Sequence, residues 1–207
     1  ELGKKGYAYL HYGDMHRNSF NKVSYEQYSV LPKVDIELTK SENYLLQDGD
    51  VVFLDASEDL DGTSRCVLVD NPNNNLFFAG LHTIPAREKA SNFSKWYKQY
   101  ITLPDFARKQ FQRLASGFKV YGLNKVTIAR IAYAFPQSKD EQSRIAEILM
   151  KWDEAIELQE QYIQKLETRK KAIMKKLLTP KEDWQYVKLG DICTIKTGKL
   201  DANAMVD

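Results

Sequence analysis

The sequence is poor in the residues from which catalytic sites are most often built. Of its 207 residues, two are cysteine and three are histidine. Cys66 and Cys193 stand in unrelated contexts. They make no disulfide framework and fit a reducing, cytoplasmic setting. No apolar run approaches the ~18–20 residues needed to cross a bilayer, so no membrane partner is expected. The opening Glu-Leu-Gly-Lys-Lys has no signal-peptide pattern. Charge of one sign is also scarce: 30 Lys and Arg against 28 Asp and Glu leave a net +2. That balance neither demands nor excludes nucleic acid, because DNA readers concentrate their cations on one face.

Catalytic and cofactor motifs are missing as well. No G-x-x-x-x-G-K and no G-x-G-x-x-G occurs. Asp70-Asn71-Pro72-Asn73 lacks the second proline and the aromatic of an amino-methyltransferase motif, and reads as a turn. Asp55, Ser57, Asp59 and Asp61-Gly62 suggest a calcium loop, but Leu68 stands at the closing position, so a solvated loop is expected. Glu37-Leu-Thr-Lys40 is one residue too long for a nuclease Glu-x-Lys. His11, His16 and His82 have no partner at metal-ligand spacing. The expectation is a chain that is not an enzyme, with no metal and no cofactor.

What is present is a globular composition, 43% hydrophobic and 28% charged, long enough for one domain and an extended element. Aromatic residues make up 12%, twelve of them Tyr, which serves recognition surfaces and cores alike. Residues 138–179 predict one long helix. Ser138 and Glu141 form a capping-box pattern and Pro180 ends the run. Between them there is no Gly or Pro. Apolar residues recur at Ile145, Leu149, Trp152, Ile156, Ile163, Leu166, Ile173 and Leu177 in steps of three and four, a coiled-coil seam. Gln159 and Lys170 interrupt it, as tolerated defects or as selectors of one partner register. At 1.5 Å per residue the helix spans roughly 60 Å and needs a second helix over its seam. Asp140 and Glu141 at its start and Lys170, Lys171, Lys175 and Lys176 near its end suit the helix dipole; the basic end could instead contact phosphate.

Residues 1–137 read as one mixed α/β unit. Strands are expected at residues 7–11, near 34–38, at 51–55, 66–69, 76–79 and 133–135. Residues 66–69 and 76–79 are expected to pair as a hairpin across 70–75, with 82–85 extending the second strand. Ser94 is expected to cap a helix carrying Trp96, Tyr97, Tyr100 and Ile101, and Pro104 to open another carrying Phe106, Phe111 and Leu114. Residues 118–123 form a Gly-bracketed loop, and 126–131 a turn or short helix. Residues 180–207 look like the opening strands of a second domain.

In order, the motifs are Gly-Asp-Met at 13–15, L-x-x-G-D-V-V at 46–52, A-S-G-F-K-V-Y-G-L at 115–123, Phe135-Pro136, E-Q-x-x-I-A with W-D-x-x-I at 141–156, and W-x-x-V-K-L-G-D-I-x-x-I-x-x-G at 184–198. This pattern resembles the specificity subunit of type I restriction-modification enzymes over essentially the whole chain. The resemblance implies an α+β fold: a target recognition domain, a long spacer helix, then the start of a second recognition domain. It implies a non-catalytic subunit that reads one half of a split target in double-stranded DNA. It also implies docking to methyltransferase subunits, and through the complex to a restriction subunit, with helices that pair antiparallel. The recognition opening stands here only at the end, and one spacer helix is present rather than two. The chain therefore reads as a fragment or as a permuted half-subunit. In the permuted case Ile192 and Ile195 should be buried with residues 51–54. The seam partner is a second specificity helix or another copy of this one.

Candidate DNA-binding residues are His11, Tyr12, His16, Arg17 and Asn18 after the first strand, Arg65, and Lys119 and Tyr121. Arg17, Arg65 and Lys119 are favoured base readers, and Lys4 and Lys5 are phosphate contacts. Leu149, Trp152, Ile156, Ile163, Leu166 and Ile173 should carry helix pairing. Glu154, Glu157, Tyr162 and Arg169, off the seam, are candidates for methyltransferase docking.

Overall fold

The computed structural model describes residues 6–17, 21–24, 31–34 and 45–198. Lys4, Lys5, Asn18, the Glu37–Lys40 pattern and the expected strand beyond Val34 lie outside the described residues. The chain divides into two compact units, Glu1–Ile156 and Glu157–Asp207.

In chain order the first unit contains β1 (Tyr7–Leu10), α1 (Tyr12–Arg17), β2 (Lys22–Ser24), β3 (Lys33–Val34), β4 (Val51–Leu54), β5 (Ala56–Ser57), β6 (Cys66–Asp70), β7 (Phe77–Ala79), β8 (Thr83–Ala86), α2 (Asp105–Leu114), β9 (Tyr121–Gly122) and α3 (Lys125–Ile128). The long helix α4 (Lys139–Leu178) starts in this unit, and α5 (Leu189–Ile192) lies in the second. The fold class is α+β with a long helix.

The apolar runs at β4 and β6 do not alternate because both of their faces are covered. The central sheet has the order β2-β6-β4-β8, with Val52 opposite Val67 and Phe53 opposite Ile84. One face contributes Val52, Leu54, Val67 and Val69 to a core shared with Leu10, Met15 and Phe77. The other contributes Val51, Phe53, Cys66 and Leu68 to a core closed by Phe111 of α2. The second sheet, β3-β1-β7, joins the first core. Phe77 and Phe111 are both fully buried, each worth about 1.5–3 kcal/mol over an exposed position.

The L-x-x-G-D-V-V stretch is an anchor for these layers. Asp50, almost wholly buried, accepts Arg87 Nε and Nη2 at 2.9 and 2.8 Å and the Gln47 N–H at 2.8 Å. Asp48 accepts the Asn71 N–H and Lys95 Nζ, each at 2.7 Å. Lys95 also reaches Asp70 at 2.5 Å.

Several expected elements differ. Strands β6 and β7 are not a hairpin: β6 pairs with β2 and β4, and β7 with β1. Asn71 is the cause. Its side chain donates to Asn75 O and accepts the Asn75 N–H, both at 2.9 Å, closing a loop that carries the chain into the other sheet. Residues 82–85 do not extend β7; β8 pairs with β4. The chain turns at Gly80, where a Cβ would sit 2.5 Å from Leu10 O, and at His82, with φ 62°. Gly13-Asp14 lies within α1 rather than ending β1. Residues 96–100 form a 3-10 helix, and Ser94 is not its cap; the Ser94 hydroxyl is buried without a partner. Residues 133–135 are not a strand. The Gln110 side chain takes both the N–H and the C=O of Ala132 at 2.9 Å, occupying groups a neighbouring strand would need.

The start of α4 is fastened to the first unit by Gln142 of the E-Q-x-x-I-A motif. Gln142 is fully buried. Its Oε1 accepts the Ser94 N–H at 2.7 Å, and its Nε2 donates to Pro136 O at 2.7 Å and Asn92 O at 3.0 Å. Ala146 is buried one turn on, and Tyr100 donates its hydroxyl to Asp153 at 2.6 Å. Ser138 Oγ accepts the Glu141 N–H at 3.3 Å, the forward half of the capping box.

In the second unit every described residue is exposed. Residues 180–198 hold α5 and no strand, and the remainder of the expected opening, 199–207, lies outside the described residues. Ile192 and Ile195 are 63% and 71% exposed.

Candidate nucleic-acid interface

Three separate stretches meet at one cleft of about 480 Å³, lined by Tyr12, His16, Glu58, Asp59, His82 and Val120 among others. The first wall is α1. Asp14 starts it by accepting the His11 N–H at 3.1 Å, and the Gly13 N–H donates to His11 Nδ1 at 3.2 Å. That bond places the ring proton on Nε2. The His11 and Tyr12 rings lie 4.3 Å apart, and Tyr12 meets His16 and His82 edge-on at 6.0 and 5.4 Å. The result is a wall of rings with hydrogen-bonding tips.

The second wall is the stretch after β5. It is a hydrogen-bonded turn: Asp59 Oδ1 accepts the Gly62 N–H at 2.5 Å, and Thr63 Oγ1 donates to Leu60 O at 2.6 Å. The third wall is the Gly-bracketed loop. Ser116 and Gly122 exchange backbone bonds at 3.1 and 2.7 Å, and β9 pairs with β5. His82 closes the cleft, its Nδ1 2.9 Å from Asp55 Oδ1.

The candidate residues fall into different roles. Tyr12 and His16 line the cleft, and His11 supports Tyr12 from beside it. Lys119 is exposed next to the lining residue Val120, and Tyr121 is half-buried in β9. Arg65 is held elsewhere: its Nη1 donates to His16 O at 2.8 Å and Met15 O at 3.4 Å, satisfying end carbonyls of α1. In this structure it positions the wall rather than facing the cleft with that nitrogen. Arg17 lies at the end of α1.

Glu58, Asp59, Val120 and His82 were not among the residues singled out for binding from the sequence. Of these four, His82 has a positive φ, and a histidine beside Gly80-Leu81 does not disclose it. The seam residues Leu149, Trp152, Ile156, Ile163, Leu166 and Ile173 are 36% to 67% exposed, an apolar stripe interrupted at Gln159 and Lys170. Among the described residues no helix is long and apolar enough to cross a membrane.

No protein-family model matches the chain. Among solved structures it is similar to the S subunit of a type I restriction-modification system from M. genitalium, at 14% identity and a TM-score of 0.43. The alignment covers 74% of this chain and 37% of that one.

Proposed function

We propose that this chain is the sequence-reading subunit of a type I restriction-modification assembly, reading one half of a split target in double-stranded DNA and performing no catalysis itself. The observation that carries the reading is the fastening of α4 by Gln142. This residue of the E-Q-x-x-I-A motif locks the first turns of a 40-residue helix to the mixed-sheet domain through three hydrogen bonds. A reading head fastened to the start of a long helix suits a fixed half-site spacing. At roughly 60 Å, that spacer exceeds one turn of B-DNA, about 34–36 Å.

The cleft supplies suitable readers. Carboxylates such as Glu58 accept from the cytosine amine in the major groove, and Tyr12 and His16 offer donors and acceptors to other base edges. Lys119, expected from the sequence as a base reader, is proposed instead as a phosphate contact that fixes register.

The seam supports pairing with a second helix of the same kind. Its spacing is symmetric about Gln161. In an antiparallel pair centred there, Leu149 meets Ile173, Ile156 meets Leu166, and Trp152 meets Lys170, a cation-π geometry. Glu160 then meets its own copy, and Asp153 meets Glu167. Each like-charge pair costs about 0.2–0.5 kcal/mol, against about 1.5–3 for each apolar side chain buried, so the seam dominates. The faces off the seam are left for methyltransferase docking.

The test is a methylome. This chain is co-expressed with a type I methyltransferase subunit, and modified adenines are mapped by long-read sequencing. A split palindromic motif supports two paired copies, each reading one half. An asymmetric split motif calls for a second, different reading head. Cleavage or methylation by the purified chain alone would overturn the non-catalytic reading, and a complex that marks no defined sequence would overturn the recognition reading.

A further inference from the structure

We propose that Phe118 is a wedge that enters the base stack of bound duplex DNA, with Lys119 holding the adjoining phosphate. The proposal rests on the DNA-recognition reading and adds that reading deforms the target. Phe118 is 100% exposed, whereas no other described phenylalanine exceeds 44%. Its exposure is not that of a loose chain. The stem beneath it is closed by the Ser116–Gly122 pair and by Leu123, whose N–H donates to Asp55 O at 2.8 Å and whose side chain is buried. The tip is folded tightly: Gly117 has φ 130°, and a Cβ there would fall 1.9 Å from Val120 O. A side chain at 117 is incompatible with this turn on both counts.

The loop therefore holds a large apolar ring in water on a braced support, two residues from Val120 in the cleft wall. Proteins that kink DNA insert such rings between base pairs and recover the unstacking cost through the added contact of the bent duplex. A protein-docking anchor normally sits within a patch of about 800 Å² per partner. Here the ring is flanked by Gly117 and the exposed cation of Lys119, a cation suited to phosphate. One flat ring beside one cation matches one base step and one phosphate.

The experiment uses the complex with a type I methyltransferase subunit, on the target its methylome defines. 2-Aminopurine is placed at successive positions of the duplex, and the end-to-end distance is read by fluorescence transfer. The expected result is one brightened step and shortened ends for the wild type. Phe118→Ala should lose both and bind roughly tenfold or more weakly, while marking the same sequence. Phe118→Trp should retain both. Lys119→Ala should weaken binding evenly across sequences and lower the salt slope by about one. Unchanged brightening and bend in Phe118→Ala overturn the wedge. So does Phe118→Ala that no longer co-purifies with the methyltransferase subunit yet still kinks DNA, which would make Phe118 a protein anchor. A wild-type complex without sequence-specific binding overturns the recognition reading as well, so the two failures are distinct.

Discussion

Gln142 reaches from the first turns of α4 to take the Ser94 N–H at 2.7 Å, while its amide nitrogen spans Pro136 O and Asn92 O. A fully buried amide with three partners is a fastening, because its loss strands three backbone groups. Gln142→Leu keeps much of the volume and removes every bond. It should cost about 2–4 kcal/mol in urea unfolding of the whole chain followed by tryptophan fluorescence. A loss under about 0.5 kcal/mol would show that α4 is held by apolar contact alone.

Buried Tyr100 and partly buried Tyr133 should respond in opposite directions. Tyr100 donates to Asp153, so Tyr100→Phe should cost about 1–2 kcal/mol. The Tyr133 hydroxyl is buried without a partner. Tyr133→Phe removes a desolvated group and should be neutral or stabilising by up to about 1 kcal/mol. Equal losses in thermal melts of both variants would contradict this assignment.

Alkaline pH should destabilise the fold. Burial pushes the Cys66 thiol up to about 11 from 9.0. It also raises the Tyr100 and Tyr133 phenols, Tyr100 further by its bond to Asp153. Once pH exceeds the unfolded values, about 10 for tyrosine, the unfolded chain releases protons the folded chain keeps. Stability from these groups is therefore full below about pH 9 and falls as pH rises through the folded values. Melting temperature measured from pH 7 to 11 should drop at the top of that range, with a shallower slope in Tyr133→Phe. A flat profile would contradict the burial of these groups.

Charge on the seam should abolish pairing and spare the domain. Ile163→Asp or Leu166→Asp removes exposed apolar surface from the stripe and sets a carboxylate against Gln159 or Ile156 of the paired helix. Sedimentation should show loss of self-association by at least about tenfold, with the far-ultraviolet melt of the domain unchanged. Raising salt should tighten self-association in the wild type, because Glu160 meets its copy and the Debye length shortens from about 10 Å at 0.1 M to 3 Å at 1 M. Weaker association at high salt would favour a different partner helix, one with cations along that flank.

Local information made much of the molecule legible. The bounds of α4 follow from Ser138, Pro180 and the lack of Gly and Pro between them, and the structure gives Lys139–Leu178. The double-faced burial of β4 and β6 follows from their unbroken apolar runs. Two errors share one cause. The separation of β6 from β7 depends on the Asn71 side chain, and the absence of a strand at 133–135 on Gln110. Each is a side-chain amide taking a backbone group that secondary structure would otherwise use, and sequence pattern does not distinguish such an amide from a solvated one.

The candidate site divides the same way. That Lys119 belongs to a loop was readable from Gly117 and Gly122 on either side, whereas Tyr12 and His16, expected on a loop after the first strand, lie on the helical turn α1. That Arg65 satisfies the end of α1 across a separation of 49 residues, and that Glu58, Asp59 and His82 face Tyr12, was not. The sequence by itself determined the long helix, its unpaired seam and the apolar strands, because these arise from interactions within a few residues or from periodic burial. Only the tertiary structure decided which sheet each strand joined, which loops share a cleft, and that Phe118 stands braced in water. Those outcomes depend on hydrogen bonds and packing between segments far apart in the chain, where no local preference selects the partner.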